Sequence, residues 1–194
     1  PFFLYYASPI PHAPLQAPEY LIEKYRKIIG DEEPYLGNVG YFPTRYPRAT
    51  YAAMIEYIDI QVGEIVQQLK DNGIYENTII MLTSDNGPTY AGGVDFKYFN
   101  STGVFQNDPK RMKGYTYEGG VRVPFIVSWP NKIKSKRVID VISISYDIFP
   151  TITELSGVND SNTYPTDGIS LYNIFTDKNS SLERDYIYWE FPSY

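Results

Sequence analysis

The sequence predicts an α/β fold with a largely parallel sheet flanked by helices, and three observations carry that prediction. Residues 78–83 (Thr78-Ile79-Ile80-Met81-Leu82-Thr83) and 123–129 are continuous apolar runs, without the in-out alternation of a sheet wetted on one side. Ahead of them, Tyr51, Ile55, Ile58, Val62, Ile65, Val66 and Leu69 recur at helical spacing across 48–71. Strand and helix patterns then alternate along the chain, the order expected of an α/β domain.

In order, residues 2–8 (Phe2-Phe3-Leu4-Tyr5-Tyr6-Ala7-Ser8) read as a buried strand closed by Pro9 and Pro11. That strand is already under way at Pro1, so the chain reads as a fragment of a longer protein. Pro18-Glu19 opens a helix, with proline in the first turn and an acid beside it. Residues 31–47 mix Gly, Pro and acids, and read as an irregular loop. Asp71-Asn72-Gly73 stops the long helix over 48–71. A third strand is expected over 138–145, then a short helix from Asp147 to Leu155 ended by Gly157. Residues 159–181, rich in Asn, Ser and Asp, read as a linker, and 186–191 as a last strand. The expected division is therefore 1–158 for the α/β domain and 159–194 for a linker and the start of a further subdomain.

Composition narrows the function. The net charge of −6 and the lack of a basic stripe argue against nucleic-acid binding. The chain has no cysteine, which removes disulfides, thiolate metal sites and a cysteine nucleophile within it. No apolar stretch approaches the roughly 20 residues needed to span a bilayer. Tyrosine is abundant, at 20 copies, and serves either core packing or stacking on sugar faces.

Two segments carry chemistry. Leu82-Thr83-Ser84-Asp85-Asn86-Gly87 is an apolar strand ending in a carboxylate and an amide, at the strand end where open α/β sheets place ligands. Asp85 and Asn86 offer hard oxygen donors suited to Ca²⁺ or Mg²⁺, or form a plain turn. Lys113 opens the string Lys113-Gly114-Tyr115-Thr116-Tyr117-Glu118-Gly119-Gly120-Val121-Arg122-Val123-Pro124. A lysine there can neutralise an anionic oxygen or protonate a leaving group. Glu118 and Arg122 are expected to pair as scaffold, and the glycines to let backbone approach closely. His12, the only histidine, follows the first strand in Pro11-His12-Ala13-Pro14 and can donate to an oxyanion. Asp147 begins a helix, where an acid caps and complements the dipole, and is read as structural.

These strings resemble the sulfatase family of the alkaline-phosphatase-like superfamily. The resemblance covers most of the chain, including 51–59, Tyr146-Asp147-Ile148-Phe149-Pro150-Thr151 and Asp167-Gly168-Ile169-Ser170-Leu171. It implies the C-terminal part of a sulfatase catalytic domain that hydrolyses sulfate esters, of a carbohydrate or an aryl alcohol. Asp85 and Asn86 would be metal ligands, for Ca²⁺ with Mg²⁺ as the substitute, and Lys113 and His12 would contact the sulfate. The family's formylglycine nucleophile, made from Cys or Ser in a Cys/Ser-x-Pro/Ala-x-Arg motif, has no match here. Tyr41-Phe42-Pro43-Thr44-Arg45 has Pro and Arg at the right offsets, but tyrosine cannot become the aldehyde. Nucleophile and further ligands are thus expected outside this chain, and the isolated fragment is expected to be inactive. The resemblance also implies an exported protein, periplasmic or secreted. The rival readings are a phosphodiesterase or phosphonate hydrolase of the same superfamily and a catalytically inactive sugar-binding relative.

Overall fold

The computed structural model describes residues 1–134, 136–158, 165–177 and 181–190. The chain forms two compact units, one from Pro1–Asn72 with Asn86–Val123, the other from Gly73–Asp85 with Pro124–Tyr194.

The first unit is organised on two helices, α1 (Glu19–Ile29) and α2 (Pro47–Asp71). Both start where the sequence puts them. Pro47 sits in the first turn of α2, and Asn72 with left-handed Gly73 ends it. The acidic stretch before α2 serves the start of that helix, where buried Glu32 accepts from Arg48 N (2.7 Å) and Ala49 N (3.1 Å). A carboxylate there satisfies orphan donors and faces the positive end of the helix dipole. Lys24 of α1 bonds Glu56 of α2 at 2.5 Å.

The face that α2 buries shares Leu69 and half-buried Tyr51 with the apolar stripe in its sequence, but it also takes in residues outside that stripe. Ala49, Ala53 and Met54 are buried, whereas Ile55 is exposed and Ile58, Val62, Ile65 and Val66 are half-buried. Small residues four apart admit close neighbours that a branched stripe would hold off. Met54 joins Leu15 and Val94 in this unit's core, with Ile10, Ala17 and Tyr51 packed around them.

Residues 2–8 are not a strand here. Phe3 is 71% exposed, and Phe2, Leu4, Tyr5 and Tyr6 are exposed too. Apolarity marks a segment fit for a sheet, but a strand needs a hydrogen-bonded neighbour, and none pairs with it among the described residues.

The second unit carries the sheet, which among the described residues is one antiparallel pair, β1 (Ile80–Thr83) and β2 (Phe125–Ser128). Ile80 faces Ser128 and Thr83 faces Phe125. Both strands fall where expected, but this pairing is not parallel: an apolar run specifies burial and leaves strand direction open. Alternate residues Ile79, Met81, Phe125 and Val127 pack on buried Leu171, Ile174 and Phe175, while Leu82 and Ile126 are exposed.

Leu171, Ile174 and Phe175 belong to α5 (Tyr172–Thr176) and its cap, inside the stretch read as a linker. Of that stretch, residues 159–164 and 178–180 lie outside the described residues. The expected strand over 138–145 is irregular, with Val138 and Ile142 exposed. Residues 186–190 are likewise not a strand, and Phe191 lies outside the described residues. The helix after Asp147 is present as α4 (Ile148–Ser156), closed by left-handed Gly157.

Asp147 does more than begin that helix. It is 0% exposed, and its carboxylate accepts from Ile144 N (2.9 Å), Ile169 N (2.8 Å) and Arg184 Nη2 (2.5 Å). Burial pushes the Arg184 guanidinium down, but the hydrogen bond and charge of Asp147, together with Tyr146, raise it above its ordinary value.

Candidate functional site

Lys113 and the Asn86-Gly87 turn are brought together by backbone. Gly87 N donates to Gly120 O at 2.8 Å, and Lys113 N to Pro88 O at 3.0 Å. Gly87 has to be glycine. A Cβ there would lie 1.9 Å from Gly119 O and 3.1 Å from Gly120 Cα. The Gly of one motif thus packs on the paired glycines of the other, the close approach the sequence suggested. Met112 is wholly buried and anchors this loop, leaving Lys113 half-buried beside the turn. The short helix α3 (Glu118–Val121) follows.

Asn86 opens the segment that belongs to the first unit, and its Nδ2 donates to Gly87 O at 2.9 Å. The oxygen of an amide side chain is the atom that a hard cation takes. Asp85, one peptide bond earlier, is exposed and ends the Gly73–Asp85 segment of the second unit. A carboxylate and an amide oxygen in succession are hard donors that fit Ca²⁺ or Mg²⁺. Among the described residues no cluster of three or more His, Cys, Asp or Glu could hold a metal.

His12 also belongs to the first unit. Its Nδ1 lies 2.6 Å from Ala13 O, so Nδ1 carries the proton and donates to that carbonyl, and Nε2 is the nitrogen left to meet a ligand. The ring stands edge-on to Tyr41, centroids 5.7 Å apart. Tyr41 adopts φ +67°, a left-handed conformation uncommon for a side chain of this bulk. Gly92 makes room for both: a Cβ there would meet Ala13 Cβ at 2.5 Å and the Tyr41 ring at 3.0 Å. Tyr41 therefore flanks His12, a neighbour that sequence reasoning missed. The only signal was Gly40 beside it, marking a turn.

The scaffold pairing of Glu118 with Arg122 takes another form. Arg122 N donates to Glu118 O at 2.8 Å, while the Arg122 guanidinium lies over the Phe105 ring at 5.4 Å. Reach across one helical turn permits the ion pair, but the guanidinium stacks on the ring instead.

The sulfatase family model matches residues 1–158. The chain belongs to the sulfatase family. A sulfatase of Formosa agariphila is 31% identical over 163 residues, 77% of this chain and 27% of its own length. The N-acetylgalactosamine-6-sulfatase of Canis lupus familiaris is 32% identical over 171 residues, 88% of this chain and 28% of its own. Among solved structures, Ps i-CgsB in complex with k-i-k-neocarrahexaose aligns with a TM-score of 0.65 at 30% identity, covering 86% of this chain and 31% of that one. This sulfatase chain therefore spans less than a third of the length of those relatives. Among its described residues no helix is long and apolar enough to cross a membrane.

Proposed function

We propose that the whole protein hydrolyses sulfate esters of carbohydrates and that this chain supplies about half of the site. The observation that carries the reading is the backbone clamp, Gly87 N to Gly120 O and Lys113 N to Pro88 O, which holds the Asn86 turn against the Lys113 loop. Asp85 and Asn86 would hold Ca²⁺, with Mg²⁺ as the substitute. Two relatives, one an N-acetylgalactosamine-6-sulfatase and one solved with neocarrahexaose bound, support a carbohydrate ester as substrate. Export to the periplasm or outside the cell suits a substrate of that kind.

In this reading a formylglycine outside these 194 residues would supply the attacking hydroxyl, and a metal held by Asp85 and Asn86 would supply positive charge at the sulfate oxygens. Lys113 places an ammonium at those oxygens, with three donors to offset charge as the sulfur–oxygen bond breaks. The departing alcohol oxygen keeps the bonding electron pair and takes a proton. His12, with Nδ1–H committed to Ala13 O, donates from Nε2 to a sulfate oxygen only as the doubly protonated ring.

The test is made on the intact protein. Mass mapping should find a Cys or Ser converted to an aldehyde in a Pro/Ala-x-Arg context, and inorganic sulfate should be released from sulfated saccharides. Phosphodiester cleavage without sulfate release would transfer the site to the phosphohydrolase reading. An unconverted residue with saccharide binding and no turnover would make the protein an inactive sugar-binding relative.

A further inference from the structure

Next to the Lys113 loop, the first unit contains a cavity of about 210 Å³. Val104, Phe105, Gln106, Arg111, Tyr117 and Glu118 form its wall. Two features set it apart from an ordinary surface dent. The first is the stacking of cations on its lining rings. The Arg111 guanidinium lies 4.2 Å from the centroid of the Tyr117 ring, and Arg122 lies over the Phe105 ring. Neither arginine forms an ion pair with a carboxylate among the described residues. Stacking holds the planar fork in place while leaving its donors to recognise an oxyanion two at a time.

The second feature is the rigidity of the wall. Thr102 Oγ1 donates to Phe105 O (2.7 Å) and reaches Asn107 Oδ1 (2.7 Å), and Thr102 N also donates to Asn107 Oδ1. Asn107 Nδ2 in turn donates to Asn100 Oδ1, closing a knot that fixes Phe105 and Gln106. Across the cavity, Asp108 accepts from Lys110 N (2.9 Å) and Arg111 N (2.8 Å), which sets the turn that presents Arg111. A wall held by its own hydrogen bonds loses little entropy when a ligand arrives.

The lining is mixed in the way a sugar is mixed. Val104 is 94% exposed and Tyr117 half exposed, apolar surfaces for the C–H face of a ring. The Gln106 amide and the Glu118 carboxylate suit hydroxyls. The cavity is smaller than the few hundred Å³ of a drug-sized site, a scale appropriate to one sugar ring. Arg111 is two residues from Lys113, so their Cα atoms are at most about 7 Å apart.

We propose that this cavity is a substrate subsite for the sugar residue next to the sulfated one, and that this neighbouring residue carries an oxyanion held by Arg111. The proposal rests on the reading of Lys113 as a sulfate contact. It makes the substrate a saccharide with at least two anionic groups, the ester to be cleaved and a second one, carboxylate or sulfate, on the adjoining ring.

Three disaccharide probes test it by direct binding to the intact protein: one singly sulfated and otherwise neutral, one with a uronate on the second ring, and one with a second sulfate in that place. Arg111→Ala should weaken the anionic probes on the order of ten- to a hundredfold and leave the neutral one within about twofold. A loss confined to the uronate or to the doubly sulfated probe identifies the oxyanion. Arg111→Lys should restore part of the loss, since it keeps the charge but not the fork. Equal loss on all three probes, or none on any, overturns the subsite. Sulfate release from an aryl sulfate, which has no second sugar, reports on the sulfatase reading by itself. Absence of that release in the unmutated protein would leave the binding result standing.

Discussion

Asp85 and Asp147 occupy two corners that look alike in the sequence and differ in everything else. Each stands at the end of an apolar run with a turn or helix after it. At the Asp147 corner the carboxylate is wholly buried and accepts from two backbone N–H groups and Arg184. At the Asp85 corner the carboxylate is exposed. A saturated carboxylate has nothing left for a ligand; an exposed one does. The contrast separates a residue that holds a fold together from one left open to a ligand.

The largest effect that sharpens this contrast is expected at the first corner. Arg184→Ala leaves the Asp147 charge buried without its partner, and should cost about 3–5 kcal/mol of stability in urea unfolding of the intact protein. Activity per folded molecule should not change. Lys113→Ala should do the reverse, lowering kcat on the order of 10²- to 10³-fold while leaving the melting temperature unchanged. A fall in both for Lys113→Ala would erase the distinction.

Gly87→Ala lies between the two. Its methyl group must displace Gly119 and Gly120, at about 1–3 kcal/mol, and calorimetry should show that loss together with reduced activity. The smallest effect is expected at Asp95. Burial raises its pKa, but the backbone bond from Tyr98 and the pairing with Arg48 outweigh it, so the pKa is lowered in the folded protein. Its contribution is therefore complete above the unfolded value of about 3.9 and is lost as pH falls through the lower folded value. Both partners are about one-third exposed, and water screens the pair, so the contribution is at most about 1 kcal/mol. Asp95→Asn should flatten the stability-against-pH curve below about pH 4, as acid titration of the melting temperature would record.

Much of this was legible because the signals were local. Helical spacing and the Gly73 and Gly157 stops located α2 and α4, and two apolar runs located β1 and β2. Strand direction was not legible, since burial on both faces does not depend on the neighbour's orientation. Residues 2–8 misled because an apolar run does not by itself supply the hydrogen-bonded neighbour that a strand needs. Helix α5 escaped because its five residues lie among Asn, Ser and Asp, where composition outweighs so short a period. In the site, the glycines of the two motifs announced a close backbone approach, and the structure contains it. Tyr41 was set aside because it cannot supply a nucleophile, yet it stands against His12. Its role depends on a fold that brings 41 back beside 12, which no local pattern records.

Calorimetric titration of the intact protein with Ca²⁺, comparing Asp85→Ala with Asp95→Asn, tests the central claim most directly. The account predicts that Asp85→Ala weakens calcium binding on the order of tenfold or more, and that Asp95→Asn, which changes a carboxylate already engaged by Arg48, leaves it intact. Equal calcium affinity in Asp85→Ala and the unmutated protein would contradict the assignment of this loop to the metal.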